Sequence, residues 1–596
     1  MSAEVRSLPQ LFRENVKKFG NRPCFQFKKE GCWQTLSWNQ VEEGVRQISL
    51  GLKTLGVKKG DSVAIFSSTR VEWTLCDLAI LSLGAVTVPV YQSNTADQVA
   101  YILDNSSTQF VFVENDSLFE KVKSELTKLP RLEKIILISG KSTHPKLLAL
   151  ASLQAQGKKD LEGIKNWEKN FEGIDPSETA TLVYTSGTTG PPKGVILTHR
   201  NFLDEAEACQ KLFDISEKET GIIFLPLAHI LAREMQFFQI KVGYVQVYAE
   251  NIDKLVENMG EVRPHFFASV PRIFEKVHER VLQQVESGSP LKKAIFSWAF
   301  AIGREISQRK QSHQSVGFLL TLQGKLAFQL VFKKLKQRLG GRLRYAVSGG
   351  APLSKEISEF FHAADILILE GYGLTETTGA INCNTLNHFR FGTVGKPIDG
   401  AEEKIAPDGE ILVRGSVIFK GYFKDEEATR QVLSPDGWFK TGDIGEIDAE
   451  GFLKITDRKK DIIVTAGGKN IAPQNIESML KTVPFISQVM VHGDKRKYLS
   501  ALVTLHRDSI ESLAQSEGIS FTNYPELIQN PKIFSLVKKA IDEKNKSLAS
   551  FESVKKFAIL ENDFTQETGE LTPTLKVKRK FVTEKYKGVL DQLYQE

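Results

Sequence analysis

The chain has 596 residues, of which 41% are hydrophobic, and this length exceeds what one compact core normally holds. We therefore expect two or more globular domains. Lys and Arg number 78 against 72 Asp and Glu, and the formal charge of +6 suits anionic ligands or a membrane surface without requiring either. The sequence lacks the dense basic stripe and the modules typical of nucleic-acid binding. Five scattered cysteines without a CxxC pair predict neither a disulfide framework nor a zinc site.

The N-terminal residues lack the continuous apolar segment of a secretory signal, which predicts residence in the cytoplasm. No uninterrupted apolar run reaches the roughly 18 residues of a spanning helix. The most apolar run, residues 78–90, contains Gly84 and Pro89, and we expect these two residues to split it into a short helix and a strand of the core.

Short β-branched runs alternate with helix-like stretches along the first half of the chain. This alternation predicts α/β layers with mostly parallel sheets, and hence a large N-terminal region of stacked α/β subdomains. The runs are residues 62–66, 110–113, 134–138 and 245–248.

Residues 185–194, TSGTTGPPKG, form a loop suited to phosphate. Glycines let the backbone expose consecutive N–H groups to an anion, while hydroxyl groups and one lysine add donors and charge. A Walker A loop would need glycine where Pro192 stands, so this is a different phosphate loop. Composition alone would equally fit a flexible surface connection. The candidate ligands are Thr185, Ser186, Gly187, Thr188, Thr189, Gly190 and Lys193.

Residues 290–344 are predicted to be helical, and they interleave apolar side chains with many Lys and Arg. A basic amphipathic helix can lie on an anionic bilayer. The alternative is a solvated charged face over an ordinary core stripe, and the sequence leaves both open.

Turn signals at Gly409, Gly437 and Gly451 predict a small antiparallel β unit between residues 393 and 454. The charged run 457–461 follows it and predicts a domain boundary. We expect an N-terminal domain over residues 1–457, a hinge over 458–461, and a C-terminal α+β domain over 462–596.

The extended phosphate-loop string YTSGTTGPPKGVILTHRN, residues 184–201, resembles the AMP-binding signature of the adenylate-forming superfamily, which includes acyl-CoA synthetases, luciferases and peptide-synthetase adenylation domains. Six further blocks match that superfamily in the expected order. They are LPLAHI (225–230), AVSGGAPL (346–353), EGYGLTET (370–377), GWFKTGD (437–443), VTAGGKNIAP (464–473) and GELTPTLKVKR (569–579). The resemblance implies a luciferase-like fold with a small mobile C-terminal domain.

The resemblance implies roles for residues in the first three blocks. Tyr372 would stack on adenine, Thr375 would bind the α-phosphate, and Glu376 would hold Mg²⁺ through a hard carboxylate oxygen. His229 would line the junction of the acyl and ATP pockets, although a lone histidine is more often structural. The nucleotide-pocket walls would include Gly349, Gly350, Ala351, Glu370, Gly371 and Gly373.

The later blocks complete the implied site. Asp443 would bind both ribose hydroxyls, with Arg458 as a cation near ribose and phosphate, and Lys460 would be the hinge pivot. Lys576 would be the catalytic lysine that stabilises charge during adenylation. The CoA side would be formed by Gly467, Gly468 and Lys469, and we expect Lys578 and Arg579 at the surface.

Within the superfamily, the blocks at 226–230, 270–274, 297–303, 348–354 and 571–576 look most similar to long-chain acyl-CoA synthetases. The implied reaction joins a fatty acid to CoA through an acyl-AMP intermediate, with ATP and Mg²⁺. Two alternatives are a fatty acyl-AMP ligase that loads a carrier protein and a catalytically silent fatty-acid-binding protein. The sequence leaves open a monomer or a homodimer, and contact with the inner face of a membrane.

Overall fold

Two large mixed sheets dominate the computed structural model, which describes residues 6–185, 191–312, 314–467, 469–572 and 576–595. The strands of this part of the chain are, in order, β1 (Pro23–Lys29), β2 (Cys32–Ser37), β3 (Ser62–Phe66), β4 (Val86–Val90), β5 (Phe110–Val113), β6 (Lys134–Leu137), β7 (Leu147–Ala149), β8 (Thr179–Thr185), β9 (Lys193–Thr198), β10 (Thr220–Ile223), β11 (Val245–Tyr248), β12 (Phe266–Ser269), β13 (Tyr345–Ser348), β14 (Leu367–Leu374), β15 (Gly379–Cys383), β16 (Lys396–Pro397), β17 (Ala401–Ile405), β18 (Glu410–Gly415), β19 (Gly421–Tyr422), β20 (Phe439–Ile447), β21 (Leu453–Arg458), β22 (Ile463–Val464), β23 (Asn470–Ile471), β24 (Ile486–His492), β25 (Leu499–Leu505) and β26 (Val554–Ile559).

Helices cover the sheets and connect most of the parallel strands. They are α1 (Leu8–Phe19), α2 (Trp38–Thr54), α3 (Val71–Leu81), α4 (Ala96–Asn105), α5 (Asp116–Lys123), α6 (Leu150–Lys159), α7 (Leu161–Asn166), α8 (Lys169–Glu172), α9 (His199–Leu212), α10 (Ile230–Val242), α11 (Leu255–Val262), α12 (Pro271–Glu286), α13 (Pro290–Gln311), α14 (Phe318–Ala327), α15 (Lys333–Arg338), α16 (Lys355–Ala363), α17 (Glu426–Val432), α18 (Pro473–Leu480), α19 (Arg507–Ser516), α20 (Tyr524–Gln529), α21 (Pro531–Asn545), α22 (Arg579–Lys585) and α23 (Lys587–Gln592). Two 3₁₀ turns (Leu126–Lys128 and Thr375–Thr377) and a π-helical turn (Phe328–Phe332) complete them.

One sheet has eight strands in the order β19-β9-β8-β4-β3-β5-β6-β7, and the other has nine in the order β16-β15-β14-β13-β12-β10-β11-β1-β2. Their central strands run parallel, while β9 and β19, β2, and β15 and β16 add antiparallel edges. One hydrophobic core extends across residues of both sheets. The α/β class with stacked layers is therefore as predicted.

The apolar run 78–90 divides as expected at Gly84, whose φ of +65° lies at the turn between α3 and β4. Pro89 does not interrupt the strand. It lies inside β4 and pairs in register with Ile65 of β3. The parallel ladder therefore continues past a residue without an N–H group.

A separate antiparallel sheet, in the order β17-β18-β20-β21, forms the predicted small β unit. Gly409, Gly437 and Gly451 all adopt positive φ angles of +85°, +87° and +85° at its turns. Asp457 and Arg458 belong to β21, so the regular strand extends into the run that we expected to be a charged break.

The remaining chain forms a smaller α+β unit around the three-stranded sheet β24-β25-β26. Its principal core consists of residues between Ile463 and Phe557 and is distinct from the core of the two large sheets. Across the described ranges, every helix is too short or too polar to cross a bilayer.

Candidate active site

The candidate residues gather where parallel strands of the nine-stranded sheet end. His229 follows β10 and precedes α10, Gly349 follows β13, and Tyr372 lies near the end of β14. Because β10, β12, β13 and β14 run parallel and side by side, their carboxyl ends meet at one edge of the sheet. Ligands of open α/β sheets bind at such an edge.

Tyr372, Asp443 and Arg458 form a connected polar group. The Tyr372 hydroxyl donates to Asp443 Oδ2 at 2.7 Å, and Arg458 Nε lies 3.2 Å from Asp443 Oδ1. Asp443 and Arg458 also face each other across β20 and β21. Burial disfavours the charge on Arg458, but its acidic neighbours together, with Asp443 the strongest of them, raise the arginine pKa. The structure thus brings three predicted nucleotide residues together.

Glu376 receives a partner that sequence reasoning missed. The Tyr422 hydroxyl donates to Glu376 Oε1 at 2.8 Å, and the Lys193 ammonium lies 5.0 Å from the centre of the Tyr422 ring. Lys193 also lies 3.6 Å from Asp425. Tyr422 occupies β19, whose pairing with β9 places it beside the phosphate-loop hairpin. No motif marked it, because its position follows from strand pairing.

Lys576 reaches this group from the C-terminal unit. Desolvation in the cleft, followed by repulsion from Arg458, lowers the pKa of Lys576 to about 8, while the Asp443 and Glu376 carboxylates oppose the shift. The residue as a whole remains solvent-exposed. Water therefore still reaches Lys576, and the cleft desolvates its ammonium group only in part.

His229 lies beside Lys576 and caps helix α10. Its Nδ1 accepts a hydrogen bond from the Leu231 N–H at 3.2 Å, which leaves the proton of the neutral ring on Nε2. Burial, followed by the Lys576 charge, lowers the pKa of His229 to about 4. The ring is therefore neutral near pH 7.

The turn after β13 has the predicted form, with Gly350 at a φ of +81°. Gly349 is buried and approaches Leu231 closely, while Ala351 is exposed. Glu370 is only 5% exposed, and its Oε2 accepts a hydrogen bond from the Leu353 N–H at 3.3 Å. The buried carboxyl group therefore stabilises the segment that follows this turn. Burial raises the pKa of Glu370 to about 7.

The block at 370–377 bends sharply after β14. Thr375 and Glu376 lie in a 3₁₀ turn, and Gly371 pairs with Cys383 of β15. Gly373 permits an especially close return of the chain, because a Cβ there would lie 1.6 Å from the Gly379 carbonyl oxygen. The glycine is required sterically, whatever its contact with a nucleotide.

Two of the CoA-side candidates, Gly467 and Lys469, lie near the start of the C-terminal unit. Lys469 N–H donates to Thr465 Oγ1 at 3.1 Å, and its ammonium lies over the Phe551 ring at 5.6 Å. Gly467 is exposed. Lys460 lies at the start of the C-terminal unit, where desolvation and then Arg458 lower its pKa. The structure therefore presents Lys576 to the nucleotide residues.

Some predicted residues fall outside the described ranges, namely Ser186, Gly187, Thr188, Thr189, Gly190 and Gly468. Thr185 ends β8 and pairs with Lys193 of β9, so the two strands bracket the phosphate loop. The expectation that Arg579 lies at the surface is wrong. Its guanidinium is 2.5 Å from the Glu477 carboxylate and largely buried, because α22 packs it against the C-terminal unit.

A sheet-edge site completed by a lysine from a small C-terminal unit defines the class of adenylate-forming enzymes. Solved structures support this fold. The adenylation domain of a carboxylate reductase from Mycobacterium chelonae is 22% identical with a TM-score of 0.77, covering 100% of this chain and 92% of that one. An anthranilate CoA ligase in complex with anthranoyl-AMP is 18% identical with a TM-score of 0.73, covering 98% of both chains.

The chain belongs to the AMP-binding enzyme family. The family model for AMP-binding enzymes matches residues 12–423, and that for their C-terminal domain matches residues 460–596. The chain is 39% identical to a long-chain-fatty-acid–CoA ligase of Mycobacterium tuberculosis, FadD15, over 95% of this chain and 93% of that protein. It is 32% identical to the human long-chain-fatty-acid–CoA ligase ACSBG2, over 99% and 92%.

Proposed function

We propose that the chain is an AMP-forming long-chain fatty acid–CoA ligase. It activates a fatty acid with ATP to give acyl-AMP and pyrophosphate, and then transfers the acyl group to CoA with release of AMP. The observation that carries this proposal is the convergence of Lys576 with Glu376, Asp443 and Arg458 at the sheet edge. A protein that only bound fatty acids would need no such set of charges.

In the first half-reaction, the fatty-acid carboxylate attacks the α-phosphorus of ATP. Asp443 accepts hydrogen bonds from the ribose hydroxyls, with Tyr372 and Arg458 holding its orientation. Protonated Lys576 stabilises the negative charge that develops between carboxylate and phosphate. Neutral His229 lines the junction beside Lys576 and adds no competing charge.

Glu376 fits the Mg²⁺ site that the family implies. One carboxylate oxygen is held by Tyr422, and the residue is only partly buried, so the carboxylate faces the cleft as a hard oxygen donor. Bound Mg²⁺ would neutralise charge on the ATP phosphates. Tyr422 orients the carboxylate, and Lys193 places a further positive charge near the phosphate loop.

The acyl chain requires an apolar channel, and we take a small apolar cavity as the place where it begins. A cavity of about 20 Å³ lies between α11, α12 and β12. This volume holds about one water molecule. A fatty acyl chain therefore enters only if neighbouring side chains move. The cavity is lined by Leu255, Val256, Met259, Phe267, Ile273, Phe274, Val277, Leu339, Leu343, Phe361 and Ile366.

The second half-reaction uses the other face of the C-terminal unit. Rotation about Lys460 withdraws Lys576 and brings Gly467, Gly468 and Lys469 toward the acyl-AMP. These residues border the path by which the CoA thiol reaches the acyl carbonyl. This proposal includes an N-terminal domain over residues 1–457, a hinge over 458–461 and a C-terminal domain over 462–596. It also places the enzyme in the cytoplasm.

Purified protein with ATP, Mg²⁺ and palmitate, with and without CoA, tests the proposal. We expect AMP release that depends on CoA, with palmitoyl-CoA identified by mass. Acyl-AMP that accumulates regardless of CoA would instead indicate a carrier-loading ligase. An absence of product across several chain lengths would indicate a silent binding protein.

A variant pair separates loss of chemistry from loss of structure. Lys576→Ala should lower acyl-AMP formation by at least about a hundredfold, because a charge-stabilising group in an active site is worth several kcal/mol. Lys580→Ala alters an exposed lysine of α22 and should leave the rate unchanged. Equal activity of the two variants would contradict the role of Lys576.

A further inference from the structure

Helix α14 and the π-helical turn after it present an unusually apolar outer face, which we call the α14 patch and define as Phe318, Leu319, Leu322, Leu326 and Leu330. Their exposed fractions are 84%, 74%, 57%, 52% and 54%. Spacings of three and four residues place the leucines on one side of the helix. Among the described residues, fourteen large apolar side chains are highly exposed, and six lie between positions 291 and 330.

The inner face of α14 is already occupied. Leu320 and Ala327 are buried, and Gly324 approaches Ile306 of α13 so closely that a Cβ would lie 2.5 Å from the Ile306 side chain. The helix is therefore fixed on α13 with its outer leucines directed away from the core. Contiguous exposed apolar area of this kind marks an interaction surface.

The charge of residues 290–344, the segment that contains the patch, indicates the kind of partner. Residues 290–344 contain twelve basic side chains and one acidic side chain, whereas the whole chain has a formal charge of only +6. The rest of the protein is therefore net negative. Lys325, Lys333 and Lys334 are exposed beside or just after the patch. Arg304, Arg309, Lys336 and Arg344 form ion pairs with carboxylates. The positive charge that lies with the apolar surface is therefore that of the exposed lysines.

We propose that the α14 patch docks on an anionic lipid bilayer. The leucines and Phe318 enter the boundary between headgroups and acyl chains, while the lysines contact lipid phosphates. A second copy of the chain is a poor occupant, because a symmetric contact would bring two strongly basic segments together.

Docking at this surface also connects the bilayer to the acyl cavity. The patch ends in the π-helical turn, the chain continues into α15, and Leu339 and Leu343 after α15 line that cavity. A role in taking fatty acid directly from the membrane rests on the proposed function, whereas membrane docking itself does not.

Vesicle flotation tests the docking. The full chain should float with vesicles of phosphatidylcholine and phosphatidylglycerol in equal amounts, bind vesicles of phosphatidylcholine alone far less, and be released by salt. Leu322→Glu/Leu326→Glu should lower the partition coefficient by at least about tenfold, because each leucine loses its apolar burial. Lys333→Glu/Lys334→Glu should lower it by about tenfold or more and weaken the salt dependence.

Leu161→Glu is the matched control, since Leu161 is 71% exposed on α7, outside the patch, and should not affect flotation. Unchanged thermal melting of each variant excludes misfolding. The proposal is overturned if the wild type ignores anionic vesicles, or if the leucine variant floats like the wild type. Light scattering that shows a wild-type dimer and a monomeric leucine variant would assign the patch to a second copy instead.

Flotation needs no catalysis, so failure of the ligase reaction leaves its result intact. With an active enzyme, the leucine variant should keep its rate with a short water-soluble fatty acid and lose rate with palmitate supplied in anionic vesicles. Equal loss on both substrates would overturn the delivery role.

Discussion

The Tyr422 hydroxyl donates to one oxygen of Glu376, and this contact would orient the carboxylate in its proposed role at the ATP phosphates. Tyr422→Phe keeps the ring under Lys193 but removes the hydrogen bond. We expect about tenfold slower acyl-AMP formation and a higher Mg²⁺ requirement, since a hydrogen bond to a charged group is worth about 1.5–3 kcal/mol. ATP–pyrophosphate exchange at varied free Mg²⁺ measures both. Tyr498→Phe, which loses a bond to the Leu593 carbonyl, should have no such effect.

The lowered pKa of Lys576 predicts an alkaline limit to adenylation. A lysine with a pKa of about 8 is protonated below that pH and loses its charge above it. The kcat/KM for acyl-AMP formation should therefore fall as pH rises through about 8, because this ratio reports the free enzyme. In Lys576→Arg, which cannot lose its charge, the alkaline limb should disappear even if the rate is lower. An unchanged limb in that variant would assign the titration to another group.

Two glycines offer a contrast in backbone crowding. Gly373→Ala would place a methyl group 1.6 Å from the Gly379 carbonyl oxygen, so we expect loss of more than about 4 kcal/mol of stability or no folded protein. Gly260→Ala lies in helix α11 with no atom within 4 Å of the new methyl. It should be neutral or stabilise by about 0.5–1 kcal/mol. Urea unfolding of both proteins compares the two, and equal stability would contradict the crowding.

At the scale of single residues, the sequence predicts which residues belong to the site better than it predicts which residues contact each other. Resemblance singled out Tyr372, Asp443 and Arg458, which the structure joins. It could not find Tyr422, which is 46 residues from its partner, or the burial of Arg579, which depends on Glu477 of another helix. Such contacts depend on strand pairing and helix packing, which no local pattern records.

Helix α12 is the element that joins the large unit to the C-terminal one. Arg272 donates to the Ser487 carbonyl at 3.3 Å, Ser509 Oγ donates to Glu279 Oε1 at 3.1 Å, and His506 Nε2 lies 3.1 Å from Glu279 Oε2. Burial, followed by Arg272, lowers the pKa of His506 to about 4, so this contact is a hydrogen bond from a neutral ring near pH 7. These contacts hold the orientation in which Lys576 faces the nucleotide residues.

Removing Glu279, the acceptor that Ser509 and His506 share, should change the relative rates of the two half-reactions. In Glu279→Ala we expect acyl-AMP formation to slow about three- to tenfold, from the loss of hydrogen bonds worth about 0.5–1.5 kcal/mol each. Thioester formation from supplied acyl-AMP should be unchanged or faster. Single-turnover assays separate the two steps. Glu257→Ala, on neighbouring helix α11, should alter neither, and equal slowing of both steps in Glu279→Ala would refute the effect.

Elements were predictable where a local pattern determines them. The β-branched runs became β3, β5, β6 and β11, and the helices predicted within residues 290–344 are α13, α14 and α15, the last of which ends at Arg338. The alternation of polar and apolar residues could not predict that α12 would contact residues more than 200 positions away, since that contact joins two separate units.

For the whole molecule, two separate cores predict two unfolding events. The core of the large sheets and that of the C-terminal unit share no residues. We expect calorimetry of the free protein to resolve two transitions. At the proposed site a non-hydrolysable acyl-adenylate analogue would contact Asp443 and Lys576 from both units, so it should raise the lower transition and bring the two together. A single transition without ligand would contradict the independence of the cores.

The pairing of Asp443 with Arg458 across β20 and β21 has a consequence for the fate of the intermediate. Both residues that would hold the ribose belong to strands of the large unit, and the chain departs from them only after Arg458. The proposed rotation of the segments beyond that point would therefore leave the anchor of the adenylate in place. The acyl-AMP would stay bound while one catalytic face is exchanged for the other, and each activated fatty acid would go on to the thioester instead of being lost to hydrolysis in solution.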